Sequence, residues 1–295
     1  MPPQASIAPP LIFGEVLFDR FPDGRQVLGG APFNVAWHLQ GWGLAPLLFS
    51  RIGLDPPGAH IQAAMQRWGM NRAALQHDPD HPTGAVEVSI AHGEPNFDIP
   101  PGSAWDFIAP PVPLRSPPAL LYHGSLALRA PESRRAWQSL LAPDLPRFVD
   151  LNLRPPWWTP DLVTLALGGA RWVKLNAEEF EIVANLEGLD PAPFIRRAER
   201  LRRQKGWETL IVTLGAQGAL AVGEGPTIQV PPPPVTDFVD AVGAGDGLAA
   251  MWIRGILSGW SQEETLHRAV AFAARICTQT GATAPDFTRY EEDKS

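Results

Sequence analysis

Short, nearly continuous apolar runs recur along this chain, and most are followed by stretches in which apolar residues return every third or fourth position. A continuous apolar run suits a strand covered on both faces, and the longer spacing suits a helix with one buried stripe. Residues 11–18 read as a first strand and 31–40 as a helix, opened by Gly29-Gly30 with Pro32 suited to its first turn. Residues 45–52 read as a second strand and 58–68 as a second helix. Further strands are expected at 120–123, 148–151, 172–175 and 210–214, with helical segments between them, and the last helices at 247–257 and 262–280. Such alternation predicts an α/β domain in three layers, a mainly parallel sheet with helices on both faces.

Two stretches depart from that rhythm. In residues 84–99, Val86, Val88 and Ile90 alternate with polar residues, and Gly93-Glu94-Pro95-Asn96 makes a turn, so a small hairpin with one solvated face is expected. Pro231–Pro234 excludes helix and central strand and reads as an extended connector. No repeat and no internal linker divides the chain, so residues 1–295 are expected to form one domain, and the charged end after Tyr290 is expected to fray.

The connector leads into Asp240-Ala241-Val242-Gly243-Ala244-Gly245-Asp246, with a helical composition immediately after it. Small residues at a helix N-terminus leave the N–H groups of Gly243, Ala244 and Gly245 free to face an anion, and the helix dipole adds positive potential. Asp246 stands beside those donors, where a carboxylate can take the proton of an attacking hydroxyl while the donors stabilise a transferring phosphoryl group. A dinucleotide fingerprint is the competing interpretation of Gly243, Gly245 and Gly247. It fits poorly, because an Asp inside the turn repels pyrophosphate and no second strand with an acidic end follows. A plain glycine-rich turn with a solvated Asp is the bland alternative.

The 240–246 segment resembles the carboxy-terminal signature of the PfkB, or ribokinase-like, carbohydrate kinases, usually D-T-x-G-A-G-D. Gly29-Gly30-Ala31-Pro32-Phe33-Asn34-Val35-Ala36 is similar to the amino-terminal signature of that family. Ala241 departs from the pattern, where Thr is common. The resemblance implies a three-layer ribokinase-like domain with a small β lid made chiefly from about residues 84–100, closing over a sugar. It also implies ATP and Mg2+ as cosubstrate and cofactor, with K+ as a further cation in some relatives. The appearance is nearest to bacterial fructokinases, so the expected activity is transfer of the γ-phosphoryl of ATP to D-fructose. 2-Keto-3-deoxygluconate and other sugars or nucleosides are alternatives, and a non-catalytic sugar sensor is the rival from another class.

Residue by residue, the resemblance implies sugar contacts by Asp19, Gly30, Asn34 and Asp240. The residues themselves also allow a loop-solubilising Asp19, a helix cap at Asn34 and a turn cap at Asp240. Phe97 on the hairpin is a candidate substrate contact by position. Arg154, in Asp150-Leu151-Asn152-Leu153-Arg154, is a candidate anion ligand or a surface ion pair. Lys174-Leu175-Asn176-Ala177-Glu178-Glu179 resembles the family's N-x-x-E element. There Lys174 and Asn176 serve the nucleotide, and Asn176 and Glu179 serve magnesium through water; the bland interpretation is a helix capped by Asn176 with acids in its first turn. Thr213, Gly215 and Gly218 resemble the nucleotide loop, and Gly281 lies in Thr280-Gly281-Ala282, which resembles a segment that lends carbonyls to a monovalent cation in some relatives.

The remaining properties narrow the class. A formal net charge of −7 argues against a nucleic-acid or membrane-surface binder, which usually carries a basic stripe. The single Cys277 excludes an intramolecular disulfide and fits a reducing cytoplasm. The opening residues lack a basic segment before their apolar stretch, no apolar run is long enough to span a bilayer, and the histidines lack the i, i+4 pairing of a metal motif. The resemblance implies a small sugar and ATP as partners, with a second copy able to pair through the lid face, as in some relatives.

Overall fold

A computed structural model describes residues 8–91, 94–111, 117–284 and 286–291. The central sheet has nine strands, numbered in chain order: in space they run β13 (Ile228–Val230), β12 (Ala219–Val222), β11 (Thr209–Thr213), β10 (Trp172–Asn176), β9 (Arg147–Asp150), β8 (Leu121–His123), β1 (Leu11–Phe13), β4 (Leu47–Gly53), β5 (Leu75–Asp78). From β11 to β5 every pairing is parallel, while β12 is antiparallel to both its neighbours.

Alternation of side chains along these strands creates two cores. Leu11 and Phe13 of β1, Val149 of β9 and Val173 of β10 join one core, closed by α3 (Pro131–Leu140), α4 (Pro160–Leu167), α5 (Ala177–Leu186) and α6 (Phe194–Lys205). Ile12, Phe148 and Trp172 point the other way, under α1 (Ala31–Gly41), α2 (Pro56–Arg67), α7 (Ala244–Ser258) and α8 (Gln262–Ile276). The three layers expected from the pattern are present. Among the described residues no helix is long and apolar enough to cross a membrane.

The expected first strand over 11–18 is in fact two. At Gly14 the chain leaves the parallel sheet, because Pro32 packs where a side chain would stand and Gly14 takes a φ of 148°. β2 (Leu17–Arg20) then joins β3 (Gln26–Gly29), β6 (Gly84–Ala91) and β7 (Glu94–Asp98) in a second, four-stranded sheet ordered β3-β2-β6-β7. The hairpin at 84–99 therefore supplies only half of this sheet. Two other boundaries move: the helix expected at 247–257 begins at Ala244, and the one expected to reach 280 ends at Ile276. The tail after Glu291 lies outside the described residues, as does the side chain of Phe97, whose backbone pairs with Val88.

Candidate active site

The ends of β1, β9, β10 and β11, the second sheet and the N-termini of α1, α5 and α7 bring the chemistry-bearing residues to one edge of the central sheet. Helix α1 begins at Gly30, whose φ of 103° and close approach leave no room for a Cβ, since one would stand 2.8 Å from the Glu15 carbonyl oxygen. One turn on, Asn34 is buried, and its Nδ2 donates to Oδ2 of Asp246 at 2.7 Å across 212 residues of sequence. The other end of the amide, Oδ1, is buried without a hydrogen-bond partner among the described residues. A Cβ on Gly29 would lie 3.3 Å from Asp19 Oδ2 and 3.9 Å from this same Oδ1, so Asp19 and the orphan acceptor face one small space.

Gly243, left-handed at φ 80°, caps α7 and packs so tightly on Ala282 that a side chain would collide. Asp246 lies in the first helical turn. The sequence expectation of three free donors needs one correction, because Ala244 N–H donates to the Ala241 carbonyl at 3.2 Å. Among the described residues the N–H groups of Gly243, Gly245 and Asp246 have no such acceptor, which still leaves an anion site on a helix N-terminus. Burial pushes the Asp246 carboxyl up to about 6; the Asn34 amide, Lys174 and Arg154 pull against it, and Asp150 adds to it. Such a group is ionised at neutral pH yet basic enough to accept a proton.

Residues 8–289 match the family described as pfkB family carbohydrate kinase. The chain belongs to that family. It is 30% identical to a fructokinase of Escherichia coli over 290 residues, spanning 92% of each chain. It is 33% identical to the 1-phosphofructokinase of Escherichia coli (strain K12) over 161 residues, 53% of this chain and 48% of that one. The structure of the Vibrio cholerae O395 fructokinase in its fructose-, ADP- and calcium-ion-bound form superposes with a TM-score of 0.78 at 25% identity, covering 95% of this chain and 96% of that one. The protein is thus an ATP-dependent sugar kinase.

Within this kinase the other expected site residues fall into two groups. Asp19, Arg154, Lys174 and Asn34 converge on Asp246. Arg154 follows a left-handed Asn152, at φ 45°, and among the described residues donates only to the Leu153 carbonyl, at 3.1 Å. Among the described residues it enters no surface ion pair. Its charge reaches Glu15, Asp19 and Asp246, yet it forms no ion pair with any of them among the described residues. The second group is tied up locally. Asp240 accepts from Val242 N–H at 2.8 Å and from Gly281 N–H at 3.5 Å, which is the turn-cap role. The Gly281 carbonyl already accepts from Gln279 Nε2 at 3.2 Å.

Asn176 and Glu179 form a capping box on α5: Asn176 Oδ1 accepts from Glu179 N–H at 2.8 Å, and Glu179 Oε2 accepts from Asn176 N–H at 2.9 Å. Glu179 Oε1 also accepts from Leu153 N–H at 2.7 Å, fastening the turn that carries Arg154. Each Glu179 oxygen therefore holds a main-chain donor already, which suits a hydrated cation in its outer shell better than direct coordination. Thr213 lies opposite Asn176 in the β10–β11 register, while Gly215 and Gly218 make the tight turn into β12, Leu214 N–H donating to the Gly218 carbonyl at 2.8 Å.

Glu15 is the principal residue that sequence reasoning passed over. It is 5% exposed, and burial pushes its carboxyl up to about 7 against the pull of Arg154, with Asp246 raising it further. A hydrogen bond from its own main-chain N–H opposes the rise. The available signal was a lone acid inside the apolar run Leu11-Ile12-Phe13-Gly14-Glu15-Val16-Leu17-Phe18. Asp19 is likewise raised to about 6, by burial first and by Asp246, with Arg154 opposing.

Asn34 stabilises the charged form of Asp246, so its removal must raise that pKa further. In Asn34→Ala the acid limb of the kcat/KM profile should move to higher pH from its position near 6, with a greater loss of activity at pH 6 than at pH 8. A pH–rate series on both proteins checks this, and parallel profiles would contradict it.

Proposed function

We propose that this kinase phosphorylates an uncharged ketose, with D-fructose the first candidate, and that Asp246 is the base. The observation that carries the substrate class is the set of groups around Arg154: Glu15, Asp19 and Asp246 share one guanidinium, and among the described residues none forms an ion pair with it. A neutral polyol can lie among them, donating hydroxyl protons to carboxylates and to the orphan Oδ1 of Asn34 while accepting from Arg154. A sugar phosphate or sugar acid would add an anion to a site where carboxylates already outnumber cations, which weighs against 2-keto-3-deoxygluconate.

In the reaction the sugar hydroxyl loses its proton to Asp246 as its oxygen bonds the γ-phosphorus. The bond from that phosphorus to the β,γ-bridging oxygen breaks, and ADP leaves with the electron pair. The N–H groups of Gly243, Gly245 and Asp246 face the charge that collects on the transferred group, where preorganised donors need little rearrangement. Magnesium, arriving with ATP, supplies neutralisation of the phosphate charges, and Asn176 and Glu179 would hold its water shell. Thr213, Gly215 and Gly218 would border the nucleotide, and Phe97 the sugar. The second sheet, which carries Asp19, would act as the lid that excludes water from the phosphoryl group.

ADP release with ATP and magnesium, measured over fructose, ribose, 2-keto-3-deoxygluconate, fructose 1-phosphate and adenosine, tests the proposal. Fructose should give the highest kcat/KM, and Asp246→Asn should cut kcat by about 10²–10⁴-fold while sugar still shifts the melting temperature. Turnover of the anionic sugars alone would overturn the substrate class; sugar binding with no turnover in either protein would favour the sensor. Glu15→Gln should narrow the preference for fructose over 2-keto-3-deoxygluconate by about tenfold, read as a ratio of kcat/KM values. An unchanged ratio would remove Glu15 from substrate selection.

A further inference from the structure

Helix α1 carries two buried polar side chains one turn apart. Asn34 grips Asp246, while His38, on the same face one turn later, is fully buried and has no part in the chemistry above. The Nδ1 of His38 lies 2.8 Å from the Tyr290 hydroxyl, and its ring meets Phe272 of α8 edge-on with the centroids 5.1 Å apart. Tyr290, itself fully buried, ends a short 3₁₀ helix, Phe287–Tyr290. Gly41 makes room for it, since a Cβ there would stand 2.5 Å from Tyr290 Cζ.

The same helix fastens the chain on its way to Tyr290. Trp37 Nε1 donates to the Ala284 carbonyl at 3.0 Å, and Trp68 stacks between Trp37 and Phe287, with centroids 4.5 and 4.0 Å away. Residues 281–284 are thereby held against the start of α7, where a Cβ on Gly243 would stand 2.5 Å from Ala282 Cα. Burial pushes the His38 pKa down to about 3 and the Ala282 main chain opposes it, so the ring is neutral and carries one N–H. A main-chain group that favours the protonated ring is a carbonyl. With the Tyr290 hydroxyl assigned as donor to Nδ1, the ring proton belongs on Nε2, facing that carbonyl. Nε2 is buried and reaches full hydrogen-bond geometry with no acceptor among the described residues, so this contact is loose, and a small shift of Ala282 would close it.

We propose that His38 is a positioning residue for phosphoryl transfer, oriented by Tyr290: through the Ala282 carbonyl it sets how residues 281–284 back Gly243, and so where the Gly243 N–H points. The inference rests on the kinase chemistry above, not on fructose being the acceptor. Gly243 starts α7 at a left-handed φ of 80°, and its N–H is among those left free to face the transferring group. Such donors matter most when charge gathers in the transition state, and a displacement of about 1 Å is enough to slow the reaction severely. The proposed sugar contacts of Asn34 and Asp19 do not run through Ala282, so the effect belongs in kcat and not in sugar binding.

The double variant His38→Leu with Tyr290→Phe removes both polar partners while keeping their bulk, so it should melt within a few degrees of wild type. Assayed with ATP, magnesium and whichever sugar the wild-type protein turns over best, it should lose about tenfold in kcat, with the sugar KM changed by less than about twofold. His38→Gln, whose amide can still donate to Ala282, should keep kcat within about threefold of wild type. Tyr290→Phe, which leaves the packing intact and the ring unoriented, should fall between the two. A folded double variant with wild-type kcat would overturn the proposal, as would a His38→Gln protein no faster than the double variant. A sugar KM that rises as kcat falls would also overturn it, by showing that α1 and Asn34 were disturbed instead. If the double variant does not fold, Tyr290→Phe decides, and an unchanged kcat there removes His38 from the reaction. Absence of turnover in the wild type with every sugar is a different failure, that of the kinase chemistry itself.

Discussion

The hydrogen bond from Asn34 to Asp246 is the contact on which the site depends, because it joins the first turn of α1 to the first turn of α7 and sets the proposed base in place. It requires both helix N-termini to come to the same edge of the sheet, on the same face. Glycines make that approach possible: Gly30 lets α1 start against the Glu15 carbonyl, and Gly243 lets α7 start against Ala282. The bond also tunes what it holds. A half-buried carboxylate is driven toward its neutral form, and the amide restores part of its charge without neutralising its basicity.

Around that contact the molecule concentrates charge at a place where its core is otherwise apolar. Lys174 and Asp150 satisfy each other, Glu179 spends both oxygens on main-chain donors, and Arg154 stands among Glu15, Asp19 and Asp246 without an ion pair to any of them among the described residues. The first two arrangements are complete in the protein alone. The third is not, and incomplete electrostatics in a cleft are what a ligand with hydroxyl groups can complete. The raised carboxyls also bear on stability. A carboxyl whose pKa is higher folded than unfolded contributes stability at low pH that is lost as pH rises through the folded value, so Asp246, Asp19 and Glu15 weaken the fold across about pH 4–7 in exchange for function.

The layering of the fold was legible because buried parallel strands and amphipathic helices leave different periods, and the helix starts at Ala31 and Pro56 carry proline where its missing N–H costs nothing. The second sheet was only half legible. Residues 84–99 alternate as a one-sided hairpin does, whereas Leu17–Arg20 continues an apolar run across Gly14 and gives no local sign that it changes sheets. The short strands Leu75–Asp78, Ala219–Val222 and Ile228–Val230 were likewise missed, being too brief for periodicity to distinguish.

By itself the sequence determined the class of fold and the family to which its two glycine-rich signatures belong, and it pointed to the start of α7 as an anion site, since backbone conformation and helix-end chemistry are local. Tertiary structure alone decided what each side chain faces. It showed Asn34 gripping Asp246, Asp240 and Glu179 occupied with main-chain N–H groups, Glu15 buried beside the site and Lys174 lying under Gly245. Those relations join residues far apart in the chain through close packing and low-dielectric charge interactions, for which sequence spacing carries no signal.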